Sequence, residues 1–234
     1  MEPKIIYEDE NFVAVYKPVG MLTHSYKVSG QLPVVSSEKI LTDWLVKKYP
    51  EMKNVGDEPE IRPGIVHRLD RETSGILLAA KNQNCFEYLK SLFKTRQIKK
   101  TYFALVSGAF NEKGGVIDKE IRRKLGTVKR TVFSGKGAKQ AITRYAVKKT
   151  LRTPDGDTFS LLEVVPETGR THQIRVHLAS VGHPVVGDRI YGSKNQPVWA
   201  KRLMLHAYSL EFSTAEGRRL KLEVELPDDF AKYI

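Results

Sequence analysis

Short apolar runs separated by polar turns dominate the chain of 234 residues, a pattern typical of β-strands. Near the N-terminus, residues 5–7 and 12–16 form two such runs on either side of an acidic turn, and they predict a pair of strands. Residues 75–80 are continuously apolar, which indicates a strand buried on both faces. Further strands are predicted over 65–67, 101–106, 142–147, 159–165, 204–212 and 220–226.

Three segments have instead the apolar spacing of amphipathic helices. The first is capped by Ser37 and runs to Tyr49, the second covers 83–95, and the third covers 170–181 and ends at Gly182. Their predicted buried faces comprise, in turn, Ile40, Leu41, Trp44 and Leu45; Phe86, Leu89 and Phe93; and Ile174, Leu178 and Val181. Loops or hairpins are predicted over 21–36, 51–63 and 111–140.

The order of these elements predicts the fold class. Strands outnumber helices and are distributed along the whole chain, which favours an α+β fold. We expect a mixed, largely antiparallel central β-sheet flanked by helices and loops. Because no shift in composition marks a linker, we expect one domain over residues 1–234.

The net charge of the chain indicates what kind of partner it binds. The chain has a formal net charge of +12 and a pI of about 9.6. Such an excess of cations attracts polyanions, nucleic acid first among them, although a basic surface that only maintains solubility is the alternative. No run of about 18 apolar residues occurs, so no membrane-spanning helix is predicted. With Cys85 as the only cysteine and no apolar leader at the start, we expect the reducing cytoplasm as the location. The sequence implies no obligate protein partner, so we expect a monomer.

The cations are densest in residues 121–139, where no acid occurs and Phe133 is interleaved. They are Arg122, Arg123, Lys124, Lys129, Arg130, Lys136 and Lys139. A solvated loop is the alternative interpretation, but unopposed cations repel one another in a loop without a partner. The segment therefore predicts contact with nucleic-acid phosphates.

One carboxylate stands out by its position. Asp70 follows the predicted strand 65–67 and lies between Arg68 and Arg71. Nearby positive charge stabilises an ionised carboxylate, which can act as a nucleophile or a base. From these residues alone, a surface aspartate that balances two arginines is the favoured interpretation.

A second cluster covers residues 167–177, where two arginines and two histidines lie close together. Arg175 adjoins Ile174 on a predicted buried face, and a buried guanidinium requires an anionic partner. His172 and His177 are five positions apart, which suits a shared metal ion on a helix poorly. The sequence also lacks the glycine-rich phosphate-binding motifs, so we expect neither a metal nor a nucleotide cofactor.

Taken together, these motifs resemble the RluA family of pseudouridine synthases. The matching segments, in chain order, are 17–21 (KPVGM), 67–70 (HRLD) with 73–77 (TSGIL), 100–102 (KTY), 169–177 (GRTHQIRVH) with 182–188 (GHPVVGD), and 202–207 (RLMLHA). The resemblance covers nearly the whole chain, and five motifs in the family's order are specific. Many relatives carry an N-terminal RNA-binding domain of the S4 type, for which residues 1–16 leave no room, so the resemblance is to the shorter members.

The resemblance implies the pseudouridine synthase catalytic fold and the isomerisation of uridine to pseudouridine in tRNA or rRNA, a reaction that needs no cofactor. By this resemblance, Asp70 is the catalytic carboxylate and Arg175 is the partner of that carboxylate. Tyr102 packs against the target base. Arg68 would occupy the position that a flipped base vacates, and Lys17 and the cations of 122–139 would hold phosphates. The remaining substrate-binding residues are Arg170 and, with a place in the core as the alternative, Ile174 and Leu203.

Two other functional classes fit parts of the sequence. A non-catalytic RNA-binding protein or RNA chaperone on the same scaffold would have no need of Asp70, Tyr102 and Arg175, yet all three are present. A basic nuclease would require a carboxylate cluster or a metal-ligand motif, and the sequence has neither. The enzyme is therefore the favoured interpretation.

Overall fold

The computed structural model describes residues 2–25, 39–124, 126–127, 129–193 and 196–231. The strands are β1 (Lys4–Glu8), β2 (Phe12–Lys17), β3 (Ser74–Ala80), β4 (Lys99–Ser107), β5 (Gly114–Asp118), β6 (Arg122–Arg123), β7 (Arg130–Thr131), β8 (Ile142–Arg152), β9 (Thr158–Pro166), β10 (Leu205–Ser213) and β11 (Arg219–Glu223). The helices are α1 (Leu41–Lys48), α2 (Gln83–Lys94), α3 (Gln173–Ser180) and α4 (Asp228–Ala231), and a 3₁₀ turn covers Pro50–Asn54. Every helix among the described residues is too short or too polar to cross a lipid bilayer.

The chain divides into two units, which are described separately. The first comprises Met1–Lys99 and Ala207–Val224, and the second comprises Lys100–His206 and Glu225–Ile234. Each unit contains antiparallel strands and its own cluster of buried apolar side chains. Whether the chain is a single domain stays a prediction.

The first unit is built on β3, all of whose residues are buried. β3 pairs antiparallel with β2, which pairs with β1, and β10 lies on its other side. Gly75 has a φ of +125°, and a Cβ there would overlap the backbone of Ala207, so only glycine allows the two strands to approach. The core of this unit is completed by α2 through Phe86, Leu89 and Leu92.

The second unit has the strand order β4-β9-β8-β5, and all of its pairs are antiparallel. Its core contains Leu105 of β4 and Leu161 and Leu162 of β9, together with Ile174 and Leu178 of α3. The largely antiparallel α+β architecture that the sequence predicts is therefore confirmed.

Several predicted boundaries differ from the structure. The proposed cap Ser37 and most of the loop 21–36 lie outside the described residues, and α1 begins at Leu41. The third helix begins at Gln173 because His172 takes a left-handed conformation with a φ of +58°. Val181, predicted on the buried face, is 36% exposed, so that assignment is wrong.

The predicted strand over 65–67 is also wrong. Only Ile65 makes an isolated bridge, to Ala79. Two residues later the His67 side chain replaces a backbone partner, because its Nε2 accepts a hydrogen bond of 2.8 Å from the Leu78 amide. The segment therefore ends in a loop before Asp70, where a continuous strand was expected.

Candidate active site

Asp70 is half-buried in the loop 67–73, which leads into β3. The Thr23 hydroxyl donates to the Leu69 carbonyl at 2.8 Å and lies 3.3 Å from the Leu69 amide, which donates to it. The Thr73 amide donates to the Asp70 carbonyl at 3.1 Å. Leu69 itself is only 3% exposed. Backbone hydrogen bonds on both sides thus fix the position from which the Asp70 carboxylate projects.

Lys17, at the end of β2, anchors the same loop from a position with no exposed surface. Its Nζ donates to the carbonyls of Pro18 and Met21 at 2.9 Å each and to that of Arg71 at 3.2 Å. These bonds use all three protons of an ammonium group. The prediction that Lys17 holds an RNA phosphate is therefore wrong, because a fully buried side chain cannot reach one.

The burial of Lys17 also affects its ionisation. Removal from water lowers the pKa of Lys17 to about 7, against the opposite effect of the nearby Asp70 and Glu72 carboxylates. The unfolded chain, with a pKa of 10.5, binds this proton more tightly than the folded one. Titration of Lys17 therefore raises the free energy of unfolding as the pH increases from about 7 to 10.5.

Arg68 is exposed, in contrast to Leu69 beside it. Its Nη1 lies 3.3 Å from Nε2 of His24, and burial lowers the pKa of His24, so the imidazole can accept this hydrogen bond in its neutral form. A guanidinium on the surface, two residues before Asp70, is available to RNA. Its insertion into a vacated base position stays a prediction.

Arg175 of α3, in the second unit, is held by an aspartate that sequence reasoning missed. Nε and Nη2 of Arg175 donate to the two carboxylate oxygens of Asp188 at 2.7 and 2.8 Å, and the two residues are 3% and 1% exposed. Burial raises the pKa of Asp188, but hydrogen bonds from Arg175 and from the Ile190 and Tyr191 amides outweigh it and hold the pKa below its usual range. The expected anionic partner is thus Asp188; the pairing of Arg175 with Asp70 stays a prediction.

Two signals in the sequence point to Asp188. It is the only acidic residue between Glu167 and Glu211, so it is the one nearby carboxylate along the chain for a buried arginine. It also follows a glycine, Gly187, and glycine in a sequence can indicate a close backbone approach. The structure shows that approach, because φ of Gly187 is +77° and a Cβ there would overlap the Arg202 carbonyl. Glycine at 187 therefore allows the close backbone approach beside Asp188.

Tyr191 is a second residue that sequence reasoning missed. Its amide donates to Asp188 at 3.0 Å, and its ring lies 5.4 Å from the Arg175 guanidinium carbon. Its hydroxyl accepts from the Arg130 amide of β7 at 2.7 Å and lies 3.0 Å from Nδ1 of His172. Tyr191 thus connects the basic segment to the start of α3.

The other polar residues of α3 fix the helix against β8. Gln173 donates through Nε2 to the Ile142 carbonyl at 2.9 Å and to the Thr143 hydroxyl at 3.0 Å. His177 is fully buried, with its ring nitrogens 2.9 Å from the Thr143 hydroxyl and from the Lys119 carbonyl. Burial lowers the pKa of His177, so it is neutral at pH 7. These contacts give His177 a structural role.

The remaining predicted substrate-binding residues lie in or beside the core of the second unit. Tyr102 is half-buried on β4, opposite Val164 of β9. Ile174 and Leu203 are 6% and 2% exposed and belong to the core cluster. Arg170 donates from Nε to the Gln140 carbonyl at 3.1 Å. The positions are compatible with the core alternative for Ile174 and Leu203, and contact with uracil stays a prediction.

The basic segment forms a short hairpin in which β6 pairs antiparallel with β7. Its exposed cations are Arg123, Lys124, Lys129, Lys136 and Lys139. Within the described part of the chain, no carboxylate lies within ion-pair distance of any of them. A surface of unneutralised cations of this kind suits a polyanion.

The sequence profile of a family described as RNA pseudouridylate synthase matches residues 11–180. The chain belongs to this family. It is 36% identical over 231 residues to ribosomal large subunit pseudouridine synthase D of Borreliella burgdorferi, covering 98% of this chain and 67% of the relative. It is 33% identical over 231 residues to the dual-specificity RNA pseudouridine synthase RluA of Vibrio parahaemolyticus, covering 97% and 83%.

A solved structure supports the same assignment. Human RNA pseudouridylate synthase domain containing 1 has a TM-score of 0.73 and 28% sequence identity, covering 97% of this chain and 84% of the human one. The resemblance to the RluA family is thus confirmed, and the chain is a pseudouridine synthase, an RNA isomerase.

The anchoring role of Lys17 in this synthase is open to a direct test. We expect Lys17→Met to lower the free energy of unfolding at pH 7 by about 1–3 kcal/mol, because buried carbonyls lose their donor. Isomerisation should slow, because the Asp70 loop loses an anchor. The rise of the unfolding free energy with pH above about 7 should also flatten, because the titrating group is gone. Urea unfolding at pH 7 and at alkaline pH, with initial rates, measures all three effects.

The matched control is Lys47→Met, which removes an exposed lysine of α1. It should leave both the stability and its pH dependence unchanged. A Lys17→Met variant that matches this control in every measurement would contradict the anchoring role.

Proposed function

We propose that this synthase isomerises uridine at defined positions of tRNA or rRNA and that Asp70 is its catalytic carboxylate. The observation that carries the proposal is the anchoring of the loop 67–73. Thr23, Lys17 and the Thr73 amide bind backbone groups around Asp70, so the loop is held without using its carboxylate in those bonds. A fixed backbone and a half-buried, chemically usable side chain are what a positioned catalyst requires.

The reaction conserves every atom of the uridine. The bond from N1 to the ribose C1′ breaks, the uracil turns, a bond forms from C5 to C1′, and the proton on C5 is lost while N1 gains one. No oxidant, reductant or co-substrate is needed for this balance. Asp70 either attacks C1′ or removes a ribose proton to give a glycal, and the proposal holds for both routes.

Tyr102 and Arg175 complete the proposed catalytic set. Tyr102 packs its ring on the uracil and is positioned for the deprotonation at C5. Arg175 is proposed to pair with the catalytic carboxylate, and its own orientation is fixed by Asp188. The support for Tyr102 and Arg175 is their match to the family motifs.

The cations of 122–139 are proposed to bind RNA phosphates, with Arg68 entering the space of a flipped base. Flipping a base out of a stem costs a few kcal/mol, and contacts that replace its stacking offset that cost. The exposure of Arg68 and of most of the hairpin cations supports this part of the proposal.

The names of the relatives indicate which RNA to examine first. Synthase D of Borreliella burgdorferi is named for the large ribosomal subunit, and the Vibrio relative is named as dual-specific. We therefore propose large-subunit rRNA as the first candidate and tRNA as the second. Either substrate places the enzyme where ribosomes and tRNA occur, in the cytoplasm.

Pseudouridine mapping in total RNA from cells with and without the gene tests the function. We expect a small set of defined uridines to lose the modification in the deletion strain, because the enzyme proposed to modify them is then absent. The wild-type gene should restore these positions, and an Asp70→Asn gene should not. Unchanged tRNA and rRNA in the deletion strain would instead favour the non-catalytic RNA-binding alternative.

A further inference from the structure

One aromatic side chain of the basic segment has no place in the core. Phe133 follows β7 and is 69% exposed. Among the described residues it stacks on no other ring and lies over no cation. An isolated exposed apolar residue is common on protein surfaces and carries little meaning alone. The surroundings of Phe133 are what distinguish it.

The hairpin that carries Phe133 is firmly attached to the second unit. The Ile121 and Lys139 backbones exchange hydrogen bonds of 2.9 and 3.0 Å at its base, and the Arg130 amide donates to the Tyr191 hydroxyl at 2.7 Å. Val132 packs against a small cluster that contains Ile121 and Val176. Val132 is thus half-buried on this cluster, whereas the neighbouring Phe133 is exposed.

The charge around Phe133 is entirely positive within the segment. Besides the exposed cations, Arg122 and Arg130 each have a buried Nε that meets no hydrogen-bond acceptor among the described residues. Both arginine side chains are half-buried, so it is their surface part, and not the buried Nε, that a phosphate oxygen can reach. The Arg122 guanidinium also lies against Gly135, which places it beside the loop that follows Phe133.

We propose that Phe133 is a stacking platform for an unpaired base of the RNA, presented between phosphate-binding arginines. Cations that track a backbone and an exposed ring that receives a base are the two components of single-strand recognition. A protein partner would have to supply acidic side chains for these cations and would need an apolar surface to pack against. This site offers one exposed ring surrounded by cations. The inference rests on the proposed function and adds that the enzyme contacts single-stranded RNA through the hairpin.

Binding of fluorescent oligoadenylate tests the proposal, with an abasic strand of equal length and charge as the matched probe. We expect Phe133→Ala to weaken binding of oligoadenylate by roughly 5- to 100-fold, as for the loss of one stacked base. Binding of the abasic strand should not change, because it offers no base. Phe133→Trp should match or exceed wild-type affinity, because tryptophan keeps an aromatic face for the base. Unchanged binding of the abasic strand by Phe133→Ala shows that this variant folds.

Salt dependence separates stacking from charge. Phe133→Ala should leave the slope of log affinity against log salt unchanged, whereas Lys129→Glu should weaken binding of both strands and reduce that slope. The control Val198→Ala removes another exposed apolar side chain, 89% exposed and outside the hairpin, and should bind both strands as the wild type does.

Two results would overturn the stacking role: wild-type affinity of Phe133→Ala for oligoadenylate, or an equal loss of affinity for the abasic strand. Either result leaves the proposed function standing if pseudouridine mapping still finds positions that depend on the gene. If mapping finds none while Phe133→Ala still loses only base-dependent binding, the isomerase substrate proposal fails and the stacking site stands.

Discussion

Asp70→Asn is expected to reduce the rate of uridine isomerisation by a factor on the order of 10⁴ or more, as when the reactive group of other enzymes is removed. Asparagine has nearly the same shape as aspartate but carries no charge, so it serves neither as a nucleophile nor as a base. The bonds that Thr23 and Thr73 make in this loop involve the backbone of Leu69 and Asp70. The loop should therefore keep its conformation, and RNA affinity should persist.

Single-turnover release of a hydrogen isotope from C5 of uridine in substrate RNA measures this loss, and equilibrium binding of the same RNA measures affinity. Glu72→Gln is the matched control, since it neutralises an exposed carboxylate two residues further along the same loop. It should isomerise uridine close to the wild-type rate. A near-wild-type rate for Asp70→Asn would refute the assignment of the catalytic residue.

Asp188→Asn is expected to have the second largest effect, on stability and on catalysis together. It leaves the Arg175 guanidinium, 3% exposed, without its ionised partner. Breaking a buried ion pair in this way costs about 3–5 kcal/mol of unfolding free energy. Because Asp188 also orients Arg175, we expect a loss of about 10- to 100-fold in the isomerisation rate.

A double variant separates the two effects. Arg175→Met with Asp188→Leu replaces the pair by apolar side chains and should recover part of the lost stability, since no buried charge is left unpaired. The Ile190 and Tyr191 amides still lose their acceptor, which limits the recovery. It should isomerise uridine no faster than Asp188→Asn if Arg175 takes part in the reaction, and it should approach the wild-type rate if the pair is only structural. Stability is read from urea unfolding and activity from the same isotope release.

The Arg202–Asp229 pair provides the comparison for Asp188→Asn. It has the same two-bond geometry, at 2.6 and 2.7 Å, but its carboxylate side chain is 48% exposed. Water can replace the lost bonds there, so Asp229→Asn should cost no more than about 1 kcal/mol. Equal destabilisation by both variants would contradict the role that burial has in the Asp188 prediction.

Local patterns in the sequence were reliable where one element buries a continuous or periodic apolar face. The run over 75–80 predicted β3 because a strand buried on both faces needs apolar residues at every position. The spacing of Phe86 and Leu89 predicted α2 because a helix repeats every 3.6 residues. The motifs around Asp70 and Arg175 predicted the family, which the profile match confirms.

Local patterns failed where one side chain replaces a backbone partner or where a long side chain crosses into the interior. The segment 65–67 has the composition of a strand. However, the His67 imidazole accepts a hydrogen bond from the Leu78 amide, and this ends the backbone pairing that Ile65 begins with Ala79. Lysine is found mostly on protein surfaces. Lys17 is nevertheless buried, and its ammonium group donates hydrogen bonds to three backbone carbonyls. Neither arrangement has a periodicity that a sequence pattern could register.

The amino-acid order alone establishes the antiparallel α+β class, the family motifs and the basic segment, because these depend on side-chain type and local spacing. The fold establishes the partners: that Lys17 anchors the Asp70 loop, that Asp188 pairs with Arg175, and that Tyr191 connects α3 to the hairpin. Such pairings join residues up to 61 positions apart, as for Arg130 and Tyr191. They arise because a buried charge or polar group must find a partner wherever the chain's packing brings one.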